Sequence, residues 1–454
     1  MATSMDWNKL FSARRLGATA AAAEPADIRS EFVRDYDRLI FSSSFRRLQD
    51  KTQVFPLAKS DYVRTRLTHS LEVASVGRSL GYLAGQAIHN EDSSTKHLID
   101  PHDIGVIVST ACLAHDIGNP PFGHAGESAI QEWFSADDQG GRFRARWKLL
   151  RKQEQDFLKF EGNAQGFRTI ANTQTPEQRG GMRLTHAVLA CFTKYPRESS
   201  VDVSQMNGIS GKKFGFMQAE RTLFEEVATD VGLVSKPGQD LAWHRHPLSF
   251  LVEAADDICY HVMDIEDGFR TGALSFDELH ELHAPWRDGK IDERAGAIQD
   301  KQRQAEYYRA KTIGKLIQEV VLTFRNNLTG IMSGSFDEEL SAHIEHKNEF
   351  KRFKEIARTK VYNSKPVVEI EACGFEVISG LLSAFVMAMD DFSVNGRQCN
   401  VRSRTLLRLM PINVDEISEW DAYTLAAHTT DFISGMTDSY AVSLYQRIRG
   451  ISLP

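Results

Sequence analysis

The chain has 454 residues, of which 42% are hydrophobic and 25% charged, the profile of an ordinary globular protein. Its 54 Lys+Arg against 61 Asp+Glu leave a net charge of -7, which argues against a protein that coats duplex DNA through a global basic surface. Five cysteines without a CxxC spacing argue against a disulfide framework or a zinc ribbon and fit a reducing, cytoplasmic setting.

In chain order, residues 1–27 read as a flexible N-terminal tail, because the alanine stretch Ala18–Ala23 runs into Glu24-Pro25 without the apolar core of a signal peptide. Residues 28–454 read as one domain. Val73, Val76, Leu80 and Leu83 lie on one helical stripe, and His69 sits one turn earlier on the same face, pointing inward where a histidine needs a partner. Asp100 and Pro101 cap and open a second helix, whose stripe Ile104, Val108 and Ala111 runs to His115. Gly118-Asn119-Pro120-Pro121 stops it.

Polar loops are expected at 137–141 and 199–211, and a basic stretch at 142–152, interleaved with Phe143 and Trp147, reads as a solvated helix face. Further helices are expected over 247–269, 292–327, 337–357, 369–390 and 424–448. Strands are limited to short pieces at 201–203 and 213–216. No apolar run approaches the roughly 20 residues of a membrane helix. The fold class is therefore all-α, with only short strands.

Two places carry chemistry. The segment Cys112-Leu-Ala-His115-Asp116-Ile-Gly-Asn119-Pro-Pro-Phe-Gly-His124-Ala-Gly-Glu127 sets an imidazole beside a carboxylate at the end of an apolar helix, two ligand types suited to a divalent metal. Downstream, Asp256, Tyr260 and Asp264 recur at i, i+4 and i+8 within an apolar helix. Buried carboxylates on such a helix ask for a cation or a hydrogen-bonding ligand.

The order His69, His115-Asp116, Asp256 resembles the HD-domain metal-dependent phosphohydrolases. Within them the chain is most similar to the bacterial dGTPase-like deoxynucleoside triphosphate (dNTP) triphosphohydrolases. The resemblance rests on Phe45-Arg-Arg-Leu-Gln-Asp-Lys-Thr-Gln53-Val-Phe, Arg64-Thr-Arg66-Leu-Thr-His69-Ser, the His115 to Glu127 segment, Phe160-Glu-Gly-Asn163-Ala-Gln, Glu253 to Asp264 and Phe432-Ile-Ser-Gly-Met-Thr-Asp438. It implies an HD-domain helical bundle with additional C-terminal helices. It makes His69, His115, Asp116 and Asp256 the metal ligands and His124 the catalytic histidine, assisted by Glu127. Arg66, Lys194, Lys213 and Asn163 would meet the triphosphate, and Gln53, Tyr260 and Asp264 the deoxyribose. Glu376 and Arg408 are weaker candidates for the base.

The activity implied is hydrolysis of dGTP or other dNTPs to deoxynucleoside and tripolyphosphate. The cofactor implied is one divalent ion per subunit, Mg or Mn ahead of Fe, Co, Ni or Zn. Asn119, where many HD relatives carry another histidine, favours a single ion. The resemblance also implies a homo-oligomer, up to a hexamer, with a nucleotide or single-stranded DNA as effector and no membrane partner. The rival reading is a catalytically weak nucleotide-sensing or single-stranded nucleic-acid-binding HD protein.

Overall fold

The fold is described from a computed structural model for residues 4–18, 28–53, 64–136, 139–204, 206, 208–362 and 365–451. Among them the secondary structure is helical, with no sheet. Of the expected strands, 213–216 keeps a single bridge, Phe216 with Glu198, and 201–203 has none. Phe216 stacks on Phe224 with ring centroids 4.5 Å apart, so its side chain serves the core and not a strand ladder.

The centre is a helix pair, Arg66–Glu91 and Pro101–Ala114. Thr65 caps the first and shares a reciprocal capping box with Thr68; Asp100 caps the second, with Pro101 in its first turn. The two lie unusually close. A Cβ on Gly81 would come within 2.9 Å of the Gly105 backbone, so only a missing side chain permits the approach. The helices Ser249–Arg270 and Lys301–Ser333 pack against this pair and complete a first apolar core.

A second core forms where His124–Ser135, Ala422–Ser434 and Asp438–Arg449 surround the helix Lys365–Asn395. That helix is long and apolar enough to cross a membrane by length and composition, a feature the sequence reading did not anticipate. Here Val377, Ile378, Leu381, Leu382, Phe385 and Met389 are buried among its neighbours, the role of a core helix. The segment between the Pro101–Ala114 and His124–Ser135 helices passes from one core to the other, since Ile117 belongs to the first and Phe122 to the second.

Several boundaries differ from expectation. Residues 4–18 are not a tail. Met5, Trp7, Leu10, Phe11 and Leu16 are buried, and Asp6 caps a short helix, Trp7–Leu10. The amide of Met5 donates to the Met332 carbonyl (2.9 Å) and that of Leu16 to Leu184 (3.0 Å). Burial of these five apolar side chains draws the segment in; most of the alanine stretch lies outside the described residues.

The expected loop at 137–141 contributes Gly140 and Gly141 to the helix Gln139–Trp147. On that helix Arg146 pairs with Asp390 at 2.7 Å, while Lys148, Arg151 and Lys152 beyond it are exposed. The 292–327 helix is two, Gly289–Gly296 and Lys301–Ser333, separated where Asp300 caps the second. Of 337–357 only a turn, Leu340–Ala342, and the helix Lys347–Ile356 are helical before a wider turn at Ala357–Val361, because Asp337 is drawn away to bind Lys236 and Arg245. The 424–448 stretch breaks at Gly435, and Thr437 caps the new helix.

Candidate active site

Three helices bring His69, His115 and Asp256 together. His69 lies in the first turns of Arg66–Glu91, His115 caps the end of Pro101–Ala114, and Asp256 sits in Ser249–Arg270. The Nε2 atoms of His69 and His115 stand 3.2 and 3.5 Å from Oδ1 of Asp256. Each residue offers one ligand atom, and these atoms lie within 4.8 Å of one another, a group able to hold a metal ion. The Cys112 carbonyl accepts from Nδ1 of His115 at 2.6 Å, which orients the ring and leaves Nε2 for the cluster.

Asp116 adds a fourth group. Its Oδ1 accepts from Arg66 Nη1 at 2.7 Å and from Asn119 Nδ2 at 2.5 Å. Its Oδ2 is buried without a hydrogen bond and lies 3.6 Å from His115 Nε2. A buried, unpartnered carboxylate oxygen beside two imidazoles fits a divalent cation, whose charge would offset the desolvation cost. Burial works against the charged form of Asp116, but Arg66 and the two histidines hold its carboxyl below the usual range. Burial opposes ionisation of Asp256 as well; Lys194, His115 and His69 outweigh it and hold the group well below the ordinary value.

His124 opens the next helix. Gly123 precedes it with φ of 57°, a left-handed conformation that favours glycine. The imidazole of His124 is 81% exposed, and its Nδ1 lies 2.8 Å from Oε2 of buried Glu127, one turn along the same helix. The other Glu127 oxygen accepts the Gly162 amide at 2.7 Å. Burial disfavours the Glu127 carboxylate, yet the His124 bond and the charge of Lys213 keep its carboxyl below the usual range.

The expected triphosphate cations all rest on carboxylates. Arg66 is bound to Asp116, Lys194 donates to Asp256 Oδ2 at 3.1 Å, and Lys213 donates to Glu161 Oε1 at 2.9 Å. Asn163 joins the last pair, its Nδ2 donating to the same Glu161 oxygen at 2.7 Å. Gln53 is half-buried, with its side-chain carbonyl oxygen unpartnered among the described residues; Val54 and Phe55, the end of its motif, lie outside them. Glu376 and Arg402, not Arg408, line a surface cavity of about 510 Å³ between Lys365–Asn395 and Asp438–Arg449.

Sequence reasoning missed Tyr362. Its hydroxyl donates to Asp264, and its ring lies 5.8 Å from that of Tyr260. Burial pushes the Asp264 carboxyl up to about 7, even with the Tyr362 hydrogen bond acting the other way. Tyr362 follows a helix end with no recurring pattern around it, so no spacing argument could have found it.

A family model described as "HD domain" matches residues 66–196, a span that contains His69, His115, Asp116, His124 and Glu127. The chain is 41% identical over 456 residues to a deoxyguanosinetriphosphate triphosphohydrolase-like protein of Synechocystis, covering 99% of this chain and 100% of that one. The chain belongs to the dGTP triphosphohydrolase-like family. A Pseudomonas aeruginosa member with the same description is 37% identical over 458 residues, covering 99% of this chain and all of its own length. A Yersinia enterocolitica deoxyguanosinetriphosphate triphosphohydrolase is 32% identical over 520 residues, covering 98% and 99% of the two chains. The HD match ends before Asp256, Tyr260 and Asp264, so the family's full-length alignments, and not the HD domain alone, take in the third helix of the site.

Proposed function

We propose that this chain hydrolyses deoxynucleoside triphosphates, dGTP among them, to deoxynucleoside and tripolyphosphate. The observation that carries the reading is the convergence of His69, His115, Asp256 and the unpartnered Asp116 Oδ2, joined by a short loop to an exposed histidine backed by a buried carboxylate. The names of the full-length relatives support a hydrolase of this class.

The four residues would hold one divalent ion, Mg or Mn, which when bound supplies Lewis acidity toward a phosphoryl oxygen. The chain's own groups do the rest. Glu127 orients the His124 ring through Nδ1 and leaves Nε2 facing outward, placed to pass a proton to the departing 5′-oxygen of the deoxyribose. Arg66 and Lys194 hold Asp116 and Asp256 ionised. Lys213 and Asn163, bound to Glu161, offer a cation and an amide to the phosphates. Tyr260, Tyr362 and Asp264 form the sugar-facing group, in which Asp264 accepts from a hydroxyl and a tyrosine ring occupies the space of a 2′-substituent. The working form is a homo-oligomer, up to a hexamer, with a nucleotide or single-stranded DNA as effector.

The test is chromatography of each dNTP incubated with the purified chain and Mg²⁺ or Mn²⁺. Equal amounts of deoxynucleoside and tripolyphosphate are expected, and His115→Ala or Asp116→Ala abolishes both. Release of pyrophosphate or orthophosphate, or undiminished turnover in either variant, overturns the proposal.

A further inference from the structure

The segment Phe432-Ile-Ser-Gly-Met-Thr-Asp438 has no part in the reaction as described, yet it touches two others that do. Asp438, 1% exposed, accepts the Phe122 amide at 3.0 Å with one carboxylate oxygen and the Thr52 amide at 2.9 Å with the other. The Ser434 carbonyl accepts from the buried ammonium of Lys51 at 2.7 Å, and the same ammonium donates to the Asn119 carbonyl at 2.6 Å. Arg47 donates to the Gly435 carbonyl at 3.1 Å, and Ser439 donates to Asp50 at 2.9 Å.

One turn between two C-terminal helices therefore holds the backbone at 122 directly and at 119 through Lys51, and also residues 47–52. The loop needs the hold. Phe122 has φ of 64°, a conformation that costs a residue with a side chain on the order of 1 kcal/mol and persists only where surrounding contacts over-determine it. Three of the four proposed ligands, His69, His115 and Asp256, stand on other helices; the Asp116 carboxylate meets the tie only through Asn119 Nδ2, and Arg66 holds the same oxygen independently.

We infer that Asp438 is a positioning residue, which with Lys51 clamps the loop before His124 and the segment before Gln53 in one register. The inference rests on the proposed hydrolysis for its kinetic consequence, and on the loop alone for its structural one. An amide at 438 keeps the shape but has only one acceptor oxygen, so one of the two backbone N–H groups then faces an NH₂ donor. Lys51→Met leaves the Asn119 and Ser434 carbonyls without their shared donor.

Hydrogen exchange read by mass spectrometry on the full chain, with Asp438→Asn and Lys51→Met, tests the clamp. Peptides covering 48–53 and 116–124 are expected to exchange at least tenfold faster in both variants, while peptides from Arg66–Glu91 and Ser249–Arg270 are unchanged. With dGTP as probe, kcat falls at least tenfold with KM within threefold, and Mn²⁺ affinity by calorimetry stays within twofold. Unchanged exchange in both variants overturns the inference. So does exchange that accelerates evenly along the chain, or faster loop exchange with kcat intact. If the unaltered chain hydrolyses no dNTP, the functional proposal fails, and the exchange arm still decides whether the clamp exists.

Discussion

Nδ1 of His124 stands 2.8 Å from the Oε2 of Glu127, so an exposed imidazole is steered by a buried carboxylate one turn along its own helix. Replacing Glu127 by Gln keeps the volume but lets the side-chain amide present either an acceptor or a donor to Nδ1, and the ring loses its single orientation. Glu127→Gln is expected to lower kcat for dGTP about tenfold or more. His124→Ala is expected to lower it by the roughly 10² to 10⁴ associated with losing a positioned proton donor. Steady-state tripolyphosphate release measures both.

A divalent ion that binds the folded chain alone stabilises it by about 2.7 kcal/mol at a hundred times its dissociation constant. Mn²⁺ should therefore raise the melting temperature of the chain by several degrees. Asp256→Asn removes a charged ligand atom shared by both imidazoles and should erase that shift. Differential scanning fluorimetry with and without Mn²⁺ reads the outcome without any substrate.

The ring of Phe122 lies against Gly374 of the Lys365–Asn395 helix, and a Cβ there would sit 2.9 Å from the ring's Cγ. Gly374→Ala must displace the ring and, with it, the loop that ends at His124. The stability loss should be within the 1–3 kcal/mol typical of overpacking, measured by urea unfolding. The fall in kcat should be larger than that loss accounts for in folded protein.

Tyr362→Phe removes the hydroxyl that donates to Asp264 and leaves a buried carboxyl, already pushed up to about 7 by its burial, with one donor fewer. The expected result is a several-fold rise in KM for dGTP with a smaller change in kcat, since the proposed contact is to the sugar and not to the reacting phosphorus. A kcat loss without a KM change would place Tyr362 elsewhere in the reaction.

His246 is fully buried, and burial lowers its value to about 4. Its Nε2 lies 3.1 Å from the Leu10 carbonyl, and its Nδ1 accepts the Leu248 amide at 3.2 Å, so the neutral ring uses both nitrogens and a second proton would break one bond. An exposed histidine titrates near 6.5. Between about pH 6.5 and 4 the unfolded chain therefore takes the proton first, so this contribution to stability is complete above pH 6.5 and falls as acid is added. The loss is on the order of 3 kcal/mol across that window. Melting temperatures between pH 7.5 and 5 should decline less steeply for His246→Gln than for the unaltered chain.

Much of the fold was legible because apolar spacing is strict where helices are buried on one face. The stripes at Val73 to Leu83 and Ile104 to His115 correspond to the central helix pair, and the inward histidine at 69 meets its partner in Asp256. The N-terminal segment was misread because its five buried residues are too short and irregular a set to show a period. The breaks at Asp300 and Gly435 were missed because apolar residues continue on either side of them. At the site, residue types and order were readable, but pairing was not. That Arg66, Lys194 and Lys213 each rest on a carboxylate depends on residues 50, 62 and 52 positions away in the chain.

The site's two halves belong to different packed bodies. His69, His115 and Asp256 ride on helices of the first core, whereas His124 begins a helix of the second. If His124 donates the proton as proposed, a shift between the two bodies, carried by the loop from Ile117 to Phe122, would change the distance that proton must cross. On the proposed hydrolysis, a substitution at this seam is expected to change the rate without altering any ligand or the proton donor itself.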